Sequence, residues 1–235
     1  MKNSVIFFVF LSIYGCNTAS ENKVQVNKRP FETTKPKTVA SEDDIQGNTS
    51  DSKIFYQCDP NCIWKYHHPF ADSSYVFAVQ NCGEENIEKS NNARIYFGIN
   101  RGITDKVIWV EDVSIKTQDD YMEYQDFNGD DVKDIMVFSE TGARGSNSYY
   151  FLYLVNAKNK TVTRIKGFEN IVNPDYDKKN NIIVSYAYSG TNHYSIYKIS
   201  NTNRVDQIGS SFEDNFDGDT EILDVKIKEL LKRNK

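Results

Sequence analysis

Asp126-Phe127-Asn128-Gly129-Asp130-Asp131-Val132-Lys133-Asp134-Ile135-Met136-Val137-Phe138 joins an acid-rich polar turn to a short apolar run of branched and aromatic residues. The turn places carboxylate or amide oxygens at every second residue, Asp126, Asn128 and Asp130. Val132 follows with its carbonyl and Asp134 with a further carboxylate. A hard dication such as Ca2+ takes six to eight oxygen ligands of this kind at about 2.3–2.6 Å. In a helix–loop–helix site a bidentate Glu would close the loop at position 137, where Val137 stands instead. Ile135–Phe138 therefore reads as a strand, and the loop as one set into a β-protein. Asp131 occupies the place where such loops usually carry Gly, and Asp tolerates the left-handed backbone better than most residues.

The same texture continues on both sides of this stretch. Short runs of aromatic and β-branched residues, each bounded by turn chemistry, predict strands at Tyr75–Gln80, Arg94–Ile99, Val107–Val113, Tyr121–Phe127, Ile135–Ser139, Tyr149–Val155, Thr161–Ile165, Ile182–Tyr188, His193–Ile199 and Val205–Gly209. Strands at this spacing predict a mainly β domain, built as an antiparallel β-sandwich, a barrel or a small propeller-like sheet. The C-terminus reads as a short helix. Ile222, Leu223, Ile227, Leu230 and Leu231 fall mainly on one face, and Lys232 and Arg233 sit in the last turn. Ahead of it, Phe216-Asp217-Gly218-Asp219 partly repeats Phe127-Asn128-Gly129-Asp130, but Leu223 stands where a second Asp134 would be needed. Capping accounts for those acids without a second cation site.

At the other end, Lys2 precedes an apolar segment, Val5 to Ile13, which is too short to span a bilayer as a helix. It runs into Ile13-Tyr14-Gly15-Cys16, which is similar to a bacterial lipobox, the pattern in which the Cys is acylated and becomes the mature N-terminus. Residues 1–15 are accordingly expected to be a lipoprotein signal peptide. Residues 16–53 are expected to be a lipid anchor and a disordered tether, rich in Asn, Thr, Ser, Lys and Glu. As a flexible coil that tether would span roughly 30–35 Å. Residues 54–235 form the single β-rich domain, and the expected location is the bacterial envelope, on the outer membrane facing the periplasm or the cell surface. More than one acyl chain is needed for stable anchoring.

With Cys16 lipidated, Cys58, Cys62 and Cys82 are left, and any two of them are candidates for a disulfide in an oxidising compartment. The net charge of −5 becomes −6 once Lys2 leaves with the signal peptide. An acidic chain argues against nucleic acid and favours a cationic protein partner. The sequence carries no nucleophile elbow, no zinc-protease motif and no phosphate-binding glycine loop. The reading is of a binding protein rather than an enzyme.

A resemblance sharpens that reading. Gln125 to Ile135, then Thr141-Gly142-Ala143-Arg144-Gly145-Ser146-Asn147, then Tyr149-Tyr150-Phe151, resemble a family of bacterial periplasmic lipoproteins with one FG-GAP-type calcium loop on a β-rich domain. Phe168-Glu169, Asn173 to Asp177 and Gly190 to Tyr194 continue it, so that it covers Tyr124 to about Tyr197, roughly a third of the chain. Relatives in that family are similar to periplasmic lysozyme inhibitors, some acting as immunity proteins against peptidoglycan hydrolases. The resemblance implies that Gly142, Ala143, Arg144, Gly145, Ser146 and Asn147 form a partner-binding loop. Such a loop would enter the hydrolase cleft and present Arg144, Ser146, Asn147 and backbone N–H groups to its carboxylates. Two readings from other classes stand beside it: a calcium-dependent adhesion or glycan-binding surface lipoprotein, and a structural envelope protein.

Overall fold

The computed structural model describes residues 52–83, 91–116, 122–214 and 221–233. The signal peptide, Cys16, most of the tether and the Asp217-Gly218-Asp219 repeat lie outside them. Among the described residues there are thirteen strands and one α-helix: β1 (Ile63–His67), β2 (Tyr75–Asn81), β3 (Ala93–Asn100), β4 (Asp105–Val113), β5 (Met122–Gln125), β6 (Asp134–Gly142), β7 (Asn147–Asn156), β8 (Thr161–Ile165), β9 (Pro174–Asp177), β10 (Ile182–Tyr188), β11 (Asn192–Ile199), β12 (Val205–Gln207), β13 (Phe212–Asp214) and α1 (Glu221–Arg233). They form three antiparallel sheets ordered β1-β2-β3-β4, β5-β6-β7-β8 and β12-β11-β10-β9, with β13 pairing β11.

Each sheet is an up-and-down meander with two edge strands, so the barrel among the expected architectures is not formed. The three sheets stack instead. Alternation of side chains along each strand sends one face to each neighbour. From the second sheet, Ile135, Val137, Tyr153 and Val155 pack on Phe77, Val79, Ile95 and Phe97 of the first. The opposite side of the same strands, Met136 and Leu152, packs with Phe127, Phe168 and Ile183 toward the third. One side of the stack carries β1, β5 and β9: the His67 and Tyr124 rings lie 4.5 Å apart, and Gln125 Nε2 donates to Asp175 Oδ1 at 2.9 Å. On the other side, Trp109 Nε1 donates to the Val162 carbonyl at 3.0 Å, and Lys166 bridges to Arg204. The chain thus returns after each meander to the same edge, as it does between successive propeller blades.

The outer face of the third sheet is closed by α1, whose Ile227 packs on Ile182 and Ile196. The outer face of the first sheet is partly covered by residues 54–55. Phe55 is fully buried there with Val76, Ala78 and Tyr96, and the Ile54 and Phe55 N–H groups both donate to Asp105 Oδ2 at 2.7 Å. Beyond the predicted strands, β1, β9 and β13 appear. β9 begins at Pro174, which donates no ladder bond, and it lies at a sheet edge where that is tolerated.

Of the three cysteine pairings open from the sequence, the described residues contain Cys62–Cys82, which ties the start of β1 to the end of β2. Closing a loop of 20 residues' separation limits the unfolded chain and is worth about 3 kcal/mol. The Cys62→Ala/Cys82→Ala pair is expected to lower the unfolding free energy by about that amount in urea titrations. A change under 0.5 kcal/mol would mean that β1 is held by its ladder alone.

Candidate cation loop and the neighbouring 142–147 turn

Residues 126–133 connect β5 to β6 at the border between the second and third sheets. The turn is wound around its own acid side chains. Asp126 Oδ1 accepts from the N–H groups of Asn128 (3.1 Å) and Gly129 (2.7 Å), and its Oδ2 accepts from Asp131 (3.0 Å). Asn128 Oδ1 takes the Asp130 N–H and Asp130 Oδ1 takes the Val132 N–H, both at 2.9 Å. Side chains of this type mimic backbone turns, which is why Asp and Asn recur here. Asp131 does adopt the left-handed conformation, with φ +62°, as its place in the loop requires. Phe127 is the apolar pin of the loop, buried against Phe168 with ring centroids 5.2 Å apart.

Asp134 has a different position from the other acids. It is fully buried at the start of β6, where Oδ2 accepts the Phe127 N–H (2.8 Å) and Oδ1 accepts the Val155 N–H (2.9 Å). It thereby clamps the loop to β7, while each carboxylate oxygen keeps further lone-pair capacity. Burial pushes its pKa up to about 7 against those two hydrogen bonds, and the charges of Asp130 and Asp126 push the same way. Lys178 Nζ pairs with Asp131 Oδ1 at 2.6 Å on the exposed outside of the turn. The donor set of Asp126, Asn128, Asp130, Val132 and Asp134 is all oxygen, and its negative charge is little compensated. That chemistry suits a hard dication, although among the described residues no three His, Cys, Asp or Glu side chains are already gathered around one point.

The neighbours contributed by the third sheet carry no local signal in the sequence. Gly129 has φ +77°, and a Cβ there would lie 2.7 Å from Tyr176 Oη, so a side chain would be strained and would have to displace that hydroxyl. The same hydroxyl donates to Asn181 Oδ1 at 2.9 Å. Both Tyr176 and Lys178 come from the Pro174-led segment, whose proline hid its strand character.

One hairpin further along, β6 turns into β7 through a single 3-10 turn, Ala143–Gly145. Ala143 (φ +46°), Arg144 (φ +58°) and Gly145 (φ +93°) are consecutive left-handed residues. Only Gly145 takes that backbone without steric cost; for a non-glycine residue the cost is of the order of 1–2 kcal/mol. The base of the turn is held firmly. Asn147 is buried, donating from Nδ2 to the Tyr188 carbonyl (3.1 Å) and accepting the Tyr188 N–H at Oδ1 (3.0 Å). Asn173 Oδ1 accepts the Ser148 N–H (2.8 Å), and its Nδ2 donates to the carbonyls of Ser146 (2.9 Å) and Tyr186 (2.8 Å).

The structure therefore divides the six residues of the expected partner loop. Gly142 ends β6, and Ala143, Arg144, Gly145 and Ser146 are exposed. Asn147 is turned inward as the clamp to the third sheet and is buried. Compared with protein-family models, curated proteins and solved structures, the chain matches none.

Proposed function

We propose that the chain is a lipid-anchored envelope protein whose calcium-stabilised β-domain binds and inhibits a lysozyme-like peptidoglycan hydrolase. The observation that carries this reading is Arg144. It stands exposed at the tip of a strained turn whose base is hydrogen-bonded to Tyr188 of the third sheet and to Asn173. Backbone strain kept in a rigid setting is concentrated at functional sites, and the planar fork of a guanidinium loses less freedom per hydrogen bond formed with a carboxylate pair than an ammonium does. Lysozyme-like enzymes carry such a pair in a cleft. Arg144 and Ser146 are the contacting side chains of this reading, with the N–H groups of the turn, while Asn147 positions them.

Calcium, in the same reading, is held by Asp126, Asn128, Asp130, the Val132 carbonyl and Asp134. It supplies counter-charge that fixes the entry to β6, the strand that ends at the 142–147 turn. The direct test is hydrolysis of cell walls by a panel of lysozymes and related muramidases, with and without equimolar protein and with calcium present. Stoichiometric loss of activity of one enzyme supports the proposal. No effect on any enzyme of the panel overturns it as a general inhibitor and brings forward the adhesion reading.

The state of Asp134 predicts a pH dependence for the cation. Without metal, the folded protein keeps a proton to about pH 7, whereas the unfolded chain releases it near the ordinary value of 3.8. The folded state binds more protons in that window, so stability of the metal-free protein falls as pH rises from about 4 to about 7. A cation at the loop favours the ionised carboxylate and cancels that loss. The rise in melting temperature on adding calcium to chelator-treated protein is thus expected to be small at pH 5 and to grow through pH 7. An increment that does not change with pH would remove Asp134 from the ligand set. Asp130→Ala should diminish the increment at every pH.

A further inference from the structure

We infer that Asn128 is a self-modification site, an asparagine that deamidates once the hydrogen bonds of its own loop open, with Asp126 as the latch. Asn128-Gly129 is the only Asn-Gly pair in the chain. Glycine after asparagine suits this reaction, because its backbone nitrogen is unshielded by a Cβ and its backbone turns freely. The Gly129 nitrogen attacks Asn128 Cγ and a C–N bond forms. The Cγ–Nδ2 bond breaks, and ammonia leaves carrying the proton that the Gly129 nitrogen gave up. Water then opens one of the two C–N bonds of the cyclic imide, leaving an aspartyl or an isoaspartyl residue at that position. Water is the only co-reactant.

The loop exposes this pair and restrains both of its reacting groups. Gly129 is exposed, so water reaches the peptide bond. Its N–H donates to Asp126 Oδ1 at 2.7 Å. Attack requires that nitrogen to lose its proton and turn toward Cγ, and a nitrogen anion beside a carboxylate is opposed by the like charge. The electrophile is held as well. Asn128 Oδ1 accepts the Asp130 N–H at 2.9 Å, while Nδ2 donates to Asp130 Oδ2 at 3.2 Å, so Asp130 grips the amide from both ends. Turning Cγ onto the Gly129 nitrogen breaks both bonds. Asp126 also accepts the N–H groups of Asn128 (3.1 Å) and Asp131 (3.0 Å), which fixes the backbone on either side of the reacting bond.

The product differs from the parent in charge and in shape. An aspartyl product adds a carboxylate between those of Asp126 and Asp130, and like charges so close repel one another. An isoaspartyl product routes the backbone through Cγ, which lengthens it and breaks the alternation of oxygens on which the turn is wound. Neither change reverses by itself, so an opening of the loop is recorded covalently. The inference uses hydrogen bonds of the free protein and rests neither on a bound cation nor on the inhibitor reading.

The test follows Asn128 in the full chain, kept in detergent and mildly alkaline buffer, by peptide mapping with mass spectrometry over days. The folded chain is compared with the same chain in guanidinium chloride. Each hydrogen bond that must open first thins the reactive population, so the folded chain is expected to deamidate at Asn128 at least about tenfold more slowly than the unfolded one. Asp126→Ala, where its melting curve shows it folded, is expected to recover most of the unfolded rate. Asp126→Asn keeps an oxygen acceptor for the Gly129 N–H and is expected to stay near the parent. Asn128→Asp supplies the reference mass and elution of the aspartyl product. The inference is overturned if Asn128 survives in guanidinium chloride, if the folded parent reacts as fast as the unfolded chain, or if folded Asp126→Ala reacts as slowly as the parent. Should Asp126→Ala not fold, Asp130→Ala, which frees the Asn128 amide, is read in the same way. If neither folds, the comparison of folded and unfolded parent decides.

Discussion

Arg144→Ala is expected to weaken inhibition of the target hydrolase by roughly 30-fold to several-thousand-fold, while the melting temperature moves by no more than about 2 °C. The first figure follows from truncating one partner of a desolvated, hydrogen-bonded charge pair, which costs about 2–5 kcal/mol in binding. The second follows from the place of Arg144 in the free protein. Its side chain is exposed and has no hydrogen bond or ion pair among the described residues, and such substitutions usually change stability by less than about 0.5 kcal/mol. Alanine also inherits the same left-handed backbone, so the turn is neither relieved nor further strained. Arg144→Lys is expected to recover only part of the loss, because an ammonium meets two carboxylate oxygens as a point charge and not as a planar fork. Asn147→Ala should behave differently. It leaves both backbone groups of Tyr188 without their partner, and inhibition and stability should then fall together. Inhibition constants beside melting curves for the three variants separate contact from positioning. Full inhibition by Arg144→Ala of a confirmed target would end the loop assignment.

How much of this was legible before folding depends on the range of each signal. Alternation of apolar residues and turn chemistry are local, and the Thr161–Ile165 and Ile182–Tyr188 strands lie where the sequence predicts them. The acid ladder of residues 126–134 is local too, and its Asx-type bonds follow directly from the residue types. What could not be read was long-range. Ile63–His67 is a five-residue strand confined between Pro60-Asn61 and Pro69, and nothing in its own residues names β2 as its partner. Asn147 looked like a polar loop residue, but its partner Tyr188 lies 41 positions away. The barrel alternative had the same cause: the lengths and spacing of strands do not say which edges pair. The pairing of Cys62 with Cys82 is of this kind as well, decided by the β1–β2 hairpin rather than by cysteine spacing.

Arg164→Ala carries the largest expected effect on stability of any single substitution, because one guanidinium joins groups from three parts of the fold. From β8 it donates through Nη1 to Glu111 Oε1 of β4 and to Tyr153 Oη, and through Nη2 to Glu169 Oε2 in the connection to the third sheet, each at 3.1 Å. It also lies 4.3 Å over the Phe151 ring. Tyr153 is fully buried and donates in turn to Glu111 Oε2 at 3.0 Å; burial raises its phenol pKa well above the usual value, so it stays a donor. Removing one member of a buried charge network costs about 3–5 kcal/mol when its partners are left dry. Here Glu111 and Glu169 are about one-third exposed and regain some water, which reduces the expectation to about 2–3 kcal/mol. For a domain of this size that is roughly 5–10 °C in melting temperature. Arg164→Met keeps the stem over Phe151 and removes only the charge. Combined with Glu111→Gln, it should therefore cost less than the sum of the two single changes, since neither leaves the other's charge unmatched. Urea titration of the single and double variants measures this coupling. A double variant whose loss equals the sum would show that Arg164 acts through packing alone, and that the first two sheets are joined by their apolar faces without help from this ion network.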